Sequence, residues 1–191
     1  MPGKTLKKNL YDRIKPRLHR RIGRELRLAG RVLDLGCGAC ELVRYLAQAY
    51  GQHVTGVDIS SADFPKRLRS SRNARIRCVR KDATRLDFAA DESVDAVVVM
   101  WALHEMKHAK RILREARRVL RPGGEILIVE FPRDSLAQRL WNEDYYSPEE
   151  LAAMLDNAGY QETTVRLIER RRVLWARGFR PERLRNRRTA S

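Results

Sequence analysis

The stretch that most limits what this chain can fold into is Arg31-Val-Leu-Asp-Leu-Gly-Cys-Gly-Ala-Cys40. Val32, Leu33 and Leu35 form a short apolar run of the kind a buried strand requires, and Gly36 and Gly38 follow at once. Glycine suits a backbone that must turn tightly or lie against a ligand, because no Cβ forbids positive φ. Behind the turn, Glu41 to Tyr50 reads as a helix with Leu42, Tyr45, Leu46 and Ala49 on one stripe. Strand, glycine turn and helix in that order make a nucleotide-site design, with loop amides and a helix N-terminus facing the mouth of a sheet.

The glycines alone do not identify the ligand. Gly36-Cys-Gly38 lacks the third glycine of the dinucleotide fingerprint, and Glu41 stands in its place. The acids say more. Asp34, one residue before the bend, suits a ligand with a cationic group. A second strand, His53-Val-Thr-Gly-Val-Asp58, ends in a carboxylate placed to take both hydroxyls of a ribose. A third, Arg75 to Arg80, leads into Lys81-Asp82-Ala83.

Five segments in order, Val32-Leu-Asp-Leu-Gly-Cys-Gly38, Gly56-Val-Asp-Ile59, Asp82-Ala83, Val94-Asp-Ala-Val-Val-Val-Met100 and Arg118-Val-Leu-Arg-Pro-Gly-Gly124, resemble a class I S-adenosylmethionine-dependent methyltransferase. The resemblance is to the group that includes the ubiquinone and menaquinone methyltransferases, and it covers roughly residues 30 to 165. It implies S-adenosylmethionine as cofactor and S-adenosylhomocysteine as product. Asp34, Gly36, Cys37 and Gly38 would form the cofactor loop, with Asp58 on the ribose and Ile59 on the adenine face. Asp82 and Ala83 would meet the adenine amino group and ring edge, and Met100 and Trp101 would close the site from the next strand. The resemblance also implies that a helix before the sheet covers the cofactor mouth. Tyr11 on that helix either reaches the cofactor or is ordinary core.

Strands alternating with helices predict an α/β fold. The expectation is one Rossmann-like class I methyltransferase domain, a seven-stranded, mostly parallel sheet with the last strand antiparallel and an N-terminal helical cap. Residues 1–30 form a basic cap, 31–178 the cofactor-binding domain and 179–191 a basic tail. The cap helix spans 4–28, breaking near Pro16, with Leu6, Leu10, Ile14, Leu18, Ile22 and Leu26 inward. Ser60 to Ser71 reads as a short helix. Lys107 to Leu120 is a longer one, ended by Pro122-Gly123-Gly124 before a strand at Glu125–Phe131. Ser147-Pro-Glu-Glu150 starts a helix with Ser as N-cap and Pro at the first helical position, ending at Gly159. Strands over Glu162–Glu169 and Arg172–Arg177 pair antiparallel.

Charge separates the ends from the middle. The net charge is +16, of which residues 1–30 carry +8 and 169–191 carry +7, while 31–168 are nearly neutral. Basic ends suggest an anionic partner, nucleic acid or ribosome among them, or merely a solubilising surface. No segment approaches the ~20 apolar residues of a membrane span, and no signal-peptide core is present, so cytoplasm is the expected location. Cys37, Cys40 and Cys78 are read as reduced thiols. Oligomeric state is not legible.

His104-Glu-Met-Lys-His108 matches the zinc-protease pattern, which needs both histidines on one helical turn. It falls directly after a central strand, where a loop is expected, so no metal site is assigned. Instead Trp101, Leu103, His104 and Glu105 are placed on the methyl-acceptor side. His104 is the candidate general base, since an imidazole of pKa about 6.5 is largely neutral near pH 7, with Glu105 in reserve. Trp141, Tyr145 and Tyr146 either hold a flat acceptor or anchor a lid. Neither the Asn/Asp-Pro-Pro-aromatic signature of amino methylation nor a Pro-Cys nucleophile is present. A small-molecule acceptor is therefore the favoured reading. An RNA- or ribosome-linked methyltransferase and a non-catalytic binder of the same cofactor are its alternatives.

Overall fold

A computed structural model describes residues 2–68 and 75–183. Its elements run α1 (Pro2–Glu25), β1 (Arg31–Leu35), α2 (Glu41–Tyr50), β2 (His53–Asp58), β3 (Ile76–Arg80), β4 (Val94–Met100), α3 (Ala109–Val119), β5 (Leu120–Glu130), α4 (Leu136–Trp141), α5 (Pro148–Asn157), β6 (Gln161–Ile168) and β7 (Val173–Phe179). The seven strands form one sheet in the order β3-β2-β1-β4-β5-β7-β6. Strands β1 to β5 pair in parallel, whereas β7 runs antiparallel to both β5 and β6. This is the expected architecture. None of the described helices is long and apolar enough to cross a membrane.

Strand periodicity sorts side chains to two faces. Val32, Val54, Ala96, Val98, Leu127, Val129 and Trp175 pack on the α1–α2 side. Leu33, Leu35, Val97, Val99, Ile126, Ile128 and Ala176 pack on the α3–α5 side. Both faces are covered, so the central strands read as unbroken apolar runs. The exceptions among the described buried strand residues are two carboxylates, Asp34, only 2% exposed in the middle of the sheet, and Glu130 at the end of β5. Strand order reverses between β1 and β4, and the crevice at a parallel sheet's switch point is where ligands bind.

Several local expectations change. Helix α1 runs without interruption through Pro16. Ile14, Leu18, Ile22 and Leu26 on either side of the proline are all buried on one stripe, and that packing holds the register. The side chains of Leu6 and Leu10 lie outside the described part. In α2 the buried residues are Leu42, Val43, Leu46 and Ala47, a stripe rotated from the expected one, leaving Ala49 exposed. The helix expected over 60–71 is absent from residues 60–68, and 69–71 lie outside the described residues. There the Ser60 amide donates to Asp58 and the Ser60 hydroxyl accepts from the Ala62 amide, local bonds that compete with a helix. Strand β5 begins at Leu120 rather than Glu125 and absorbs the Pro-Gly-Gly segment as an irregularity opposite β4. Gly123 and Gly124 then exchange backbone hydrogen bonds with Arg180.

The ends of the chain are tied to the body. Arg177 of β7 pairs with Glu25 of α1 and Glu125 of β5. Arg180 pairs with Glu92 and donates to the carbonyls of Arg117 and Arg118, which close α3. Part of the basic C-terminal segment is therefore structural. The rest of the tail, 184–191, lies outside the described residues.

Candidate active site

The glycine bend is held by its own backbone. The amides of Gly36 and Cys37 donate to the Val57 carbonyl, and the Gly38 amide donates to Asp58 at 2.9 Å. The other oxygen of Asp58 accepts from Ser60. Gly36 sits at φ +74°, and a Cβ there would lie 2.3 Å from the Cβ of Ala102. Gly38, at φ +46°, faces open space, so its missing side chain leaves room for a ligand rather than for protein.

A cavity of about 220 Å³ opens here. Asp34, Gly36, Cys37, Gly38, Met100 and Trp101, all expected at the cofactor, line it. Burial raises the pKa of Asp34 to about 7, with the nearby Asp58 carboxylate adding to the effect. A buried acid facing a cavity in this way is best relieved by a cation. Burial, with Asp34 and Asp58 beside it, likewise pushes the Cys37 thiol far up. Ile59 is 71% exposed, one of two large apolar side chains left open among the described residues. It adjoins Asp58 and offers a flat apolar surface. Asp82 and Ala83 follow β3 on the same edge of the sheet but outside this cavity. The Asp82 carboxyl is held low by the Thr84 amide and hydroxyl. A buried acid, an empty cradle at Gly38 and an uncovered apolar side chain fit the cationic head, chain and base of S-adenosylmethionine.

Three ionisable lining residues were not legible as site residues: Lys15 and His19 from α1, and Glu41, which ion-pairs with Lys15. Burial and the Lys15 charge lower the pKa of His19 to about 4, so it is a neutral imidazole there. The α1 residues reach the cavity because α1 packs on α2 across the mouth, which spacing along the chain does not reveal.

A second cavity, about 320 Å³, shares Lys15 and Trp101 with the first. Tyr11, expected at the cofactor, belongs to this one instead. Its ring packs edge-on to Phe131 at 4.8 Å and lies 5.0 Å from Trp141, buried among aromatics as part of the wall. Trp101 stacks on Phe131 with centroids 5.0 Å apart and has φ +55°, a strained conformation for a bulky residue, on the wall between the cavities. Trp141 ends the short helix α4, capped by Ser135, and Tyr145 follows it, and both line the second cavity. Tyr146 is turned away, with its hydroxyl donating to the Leu103 carbonyl.

His104 also lines this second cavity. Its Nδ1 lies 2.9 Å from Glu130, a fully buried carboxylate at the end of β5. Glu130 also accepts from the backbone amides of His104 and Phe131. Burial alone would lower the His104 pKa. The Glu130 hydrogen bond and charge, with Glu105 and Glu143 nearby, reverse that and raise it. Glu105 sits on the rim, its side chain 70% exposed and 3.7 Å from His104 Nε2. His104 lies on a single 3-10 turn and His108 precedes α3 with φ +62°, so the two do not share a helical turn as the zinc motif requires. Glu130 was missed because nothing in its own neighbourhood marks it; only the β4–β5 pairing brings it to His104.

The reduced-thiol reading is corrected. Cys40 and Cys78 are joined as a disulfide between the start of α2 and β3, and the Cys37 sulfur lies 3.6 Å from that of Cys40. The pairing was illegible because the residues are far apart in sequence and meet only over β2.

With the geometry in place, comparison identifies the family. The methyltransferase domain family matches residues 33–128. The demethylmenaquinone methyltransferase of Tropheryma whipplei is 32% identical over 165 residues, covering 70% of this chain and 67% of that protein. The ubiquinone/menaquinone biosynthesis C-methyltransferase of Paracoccus denitrificans is 33% identical over 61% of this chain, which spans about half (48%) of that relative's length. The human N-acetylserotonin methyltransferase, solved with S-adenosylmethionine, superposes with a TM-score of 0.69 at 17% identity over 85% of this chain and 51% of its own. A glycine bend with acids at neighbouring strand tips, in a sheet of this order, and a family match over the same residues place the chain in the methyltransferase domain family, among the class I S-adenosylmethionine-dependent methyltransferases.

Proposed function

We propose that this chain transfers a methyl group to a small, flat acceptor carrying an ionisable hydroxyl, bound in the aromatic cavity beside the cofactor cleft. The observation that carries the reading is His104, in the wall of a cavity that shares Trp101 with the cleft, with the buried Glu130 2.9 Å from its Nδ1. When bound, S-adenosylmethionine supplies a methyl group already activated by its sulfonium charge. The residues then have to align, desolvate and deprotonate. Asp34 offsets positive charge in the cleft, and Asp58 with Ile59 receives the nucleoside. Tyr11, Phe131, Trp141 and Tyr145 exclude water and sandwich the acceptor ring. Glu130 accepts from Nδ1–H, which leaves Nε2 of His104 to take the acceptor's proton. The names of two relatives, a demethylmenaquinone methyltransferase and a ubiquinone/menaquinone biosynthesis C-methyltransferase, agree with a ring-shaped acceptor.

The test is turnover of hydroxylated naphthalene and quinol acceptors, followed as S-adenosylhomocysteine release and methyl-labelled product. Turnover by the parent and its loss in His104→Ala, with S-adenosylhomocysteine binding unchanged, support the assignment. Equal turnover by both proteins removes His104 from the chemistry.

A second reading rests on α1. Arg13, Arg17, Arg20 and Arg24 recur at helical spacing and are all exposed, and among the described residues only Arg17 has an ion-pair partner, Glu169. A stripe of this kind favours an anionic surface as a docking partner, nucleic acid included, while the methyl acceptor remains a small molecule.

A further inference from the structure

The cysteines form a cluster that the methyl-transfer reading leaves unused. The sulfurs of Cys37, Cys40 and Cys78 all lie within 4.8 Å of one another. They sit over Gly56 on the α2 side of the sheet, where a Cβ on Gly56 would come 2.7 Å from the Cys37 sulfur. Three elements supply them: the glycine bend, the residue before α2, and β3, where Cys78 is in register with Gly56. Cys40 holds its side chain in the left-handed region, φ +55°, a conformation that costs a non-glycine residue roughly 1–2 kcal/mol. A disulfide uses two sulfurs. The third, 3.6 Å from Cys40, is spaced as ligands on one ion are, since metal–sulfur bonds of ~2.3 Å at a tetrahedral centre put sulfurs roughly 3.8 Å apart.

We propose that the reduced trio Cys37, Cys40 and Cys78 forms a three-thiolate site for a soft, thiophilic metal ion beneath the cofactor loop, and that the Cys40–Cys78 disulfide is its metal-free oxidised form. Thiolates select soft ions over magnesium or calcium. Among the described residues no histidine or carboxylate joins the trio, so three sulfurs are the ligand set they offer. A dithiol reductant gives two electrons to the Cys40–Cys78 bond and becomes a cyclic disulfide, leaving two thiols. A divalent ion then replaces the three thiol protons, which pass to solvent. Cys37 also lines the cofactor cleft, so an occupied site would fix the bend that receives the cofactor.

The experiment is a Cd(II) titration of the full chain, reduced with dithiothreitol and desalted under nitrogen. The expected result is one ion per chain, with ultraviolet thiolate-to-cadmium absorption of three-sulfur intensity and no such band in oxidised protein. Cys37→Ser, Cys40→Ser and Cys78→Ser should each weaken binding on the order of 100-fold and lower the band by a third. Near-ultraviolet circular dichroism checks that each variant folds. For any that does not, alkylation of the parent replaces it: bound Cd(II) should slow iodoacetamide at all three cysteines. A Cys37→Ser variant that titrates like the parent, an unprotected Cys37, or uptake no greater than in the triple serine variant would overturn the proposal. None of these readouts depends on methyl transfer.

Discussion

Asp34 is costly to the fold while its carboxylate is unpaired, a penalty that a bound cation would relieve. Its carboxyl pKa is about 7 in the fold against 3.8 when unfolded. Between those values the native state holds the proton that the unfolded chain has released, so this group's contribution makes stability fall as pH rises from 4 to 7, and the full penalty is present at pH 8. Asp34→Asn removes the charge at similar volume. Thermal melts at pH 8 should show the apo variant more stable by about 1–3 kcal/mol, with the gain shrinking toward pH 5. Calorimetry should show its affinity for S-adenosylmethionine reduced about tenfold or more, as expected when a charge-assisted contact is lost. A variant neither stabilised nor weakened in binding would mean that Asp34 is ionised and solvated in the free protein. His104 answers to pH in the opposite sense. It must be neutral to accept a proton, and Glu130 raises its pKa, so turnover should climb with pH through an inflection above 6.5. Glu130→Gln should move that inflection to lower pH and reduce the plateau by about 10–100-fold; an unmoved inflection assigns the titration to another group. The placement of Asp34, Asp58 and the glycines at the ends of β1 and β2 is legible because each belongs to a local motif. That of Glu130, Lys15 and His19 is not, since their relevance comes from strand pairing and helix packing.

Elements with self-contained end signals were read almost to the residue. The helix beginning at Ser147 has the full capping box: the Ser147 hydroxyl accepts from the Glu150 amide and Glu150 accepts from the Ser147 amide. Ser147→Ala should cost about 1 kcal/mol and a few degrees of melting temperature, while S-adenosylhomocysteine affinity stays unchanged because α5 lies on the far face from the cleft. A shift in that affinity would mean the two faces are coupled through the sheet. Elements decided by competition were read less well. Pro16 looked like a break, yet the buried stripe outweighs one lost hydrogen bond. Residues 60–68 looked helical, yet Asp58 and Ser60 capture the backbone locally. The α2 stripe is rotated from the one its spacing predicts, because the Tyr45 ring lies near His19 and Tyr50 at the margin and Val43 faces the sheet.

At the scale of the whole molecule, the charge asymmetry has been partly redistributed by folding. Arg177, Arg180 and Arg183 near the C-terminus are paired with Glu25, Glu125 and Glu92, so they no longer present free charge. The N-terminal charge is spent differently: Arg13, Arg20 and Arg24 stand exposed, without ion-pair partners among the described residues, on a helix whose opposite face is core. A polyanion docked along that stripe would release counterions in proportion to the phosphates neutralised, with a slope of about −0.7 per contact for a single strand. Replacing Arg13, Arg20 and Arg24 by Gln should therefore lower the slope of log affinity against log salt for single-stranded RNA by roughly 2. Because these side chains point away from the buried stripe, melting temperature and small-acceptor turnover should be preserved. An unchanged slope would assign RNA affinity to other cations, and no measurable affinity in the parent at low salt would leave the stripe a solubilising surface.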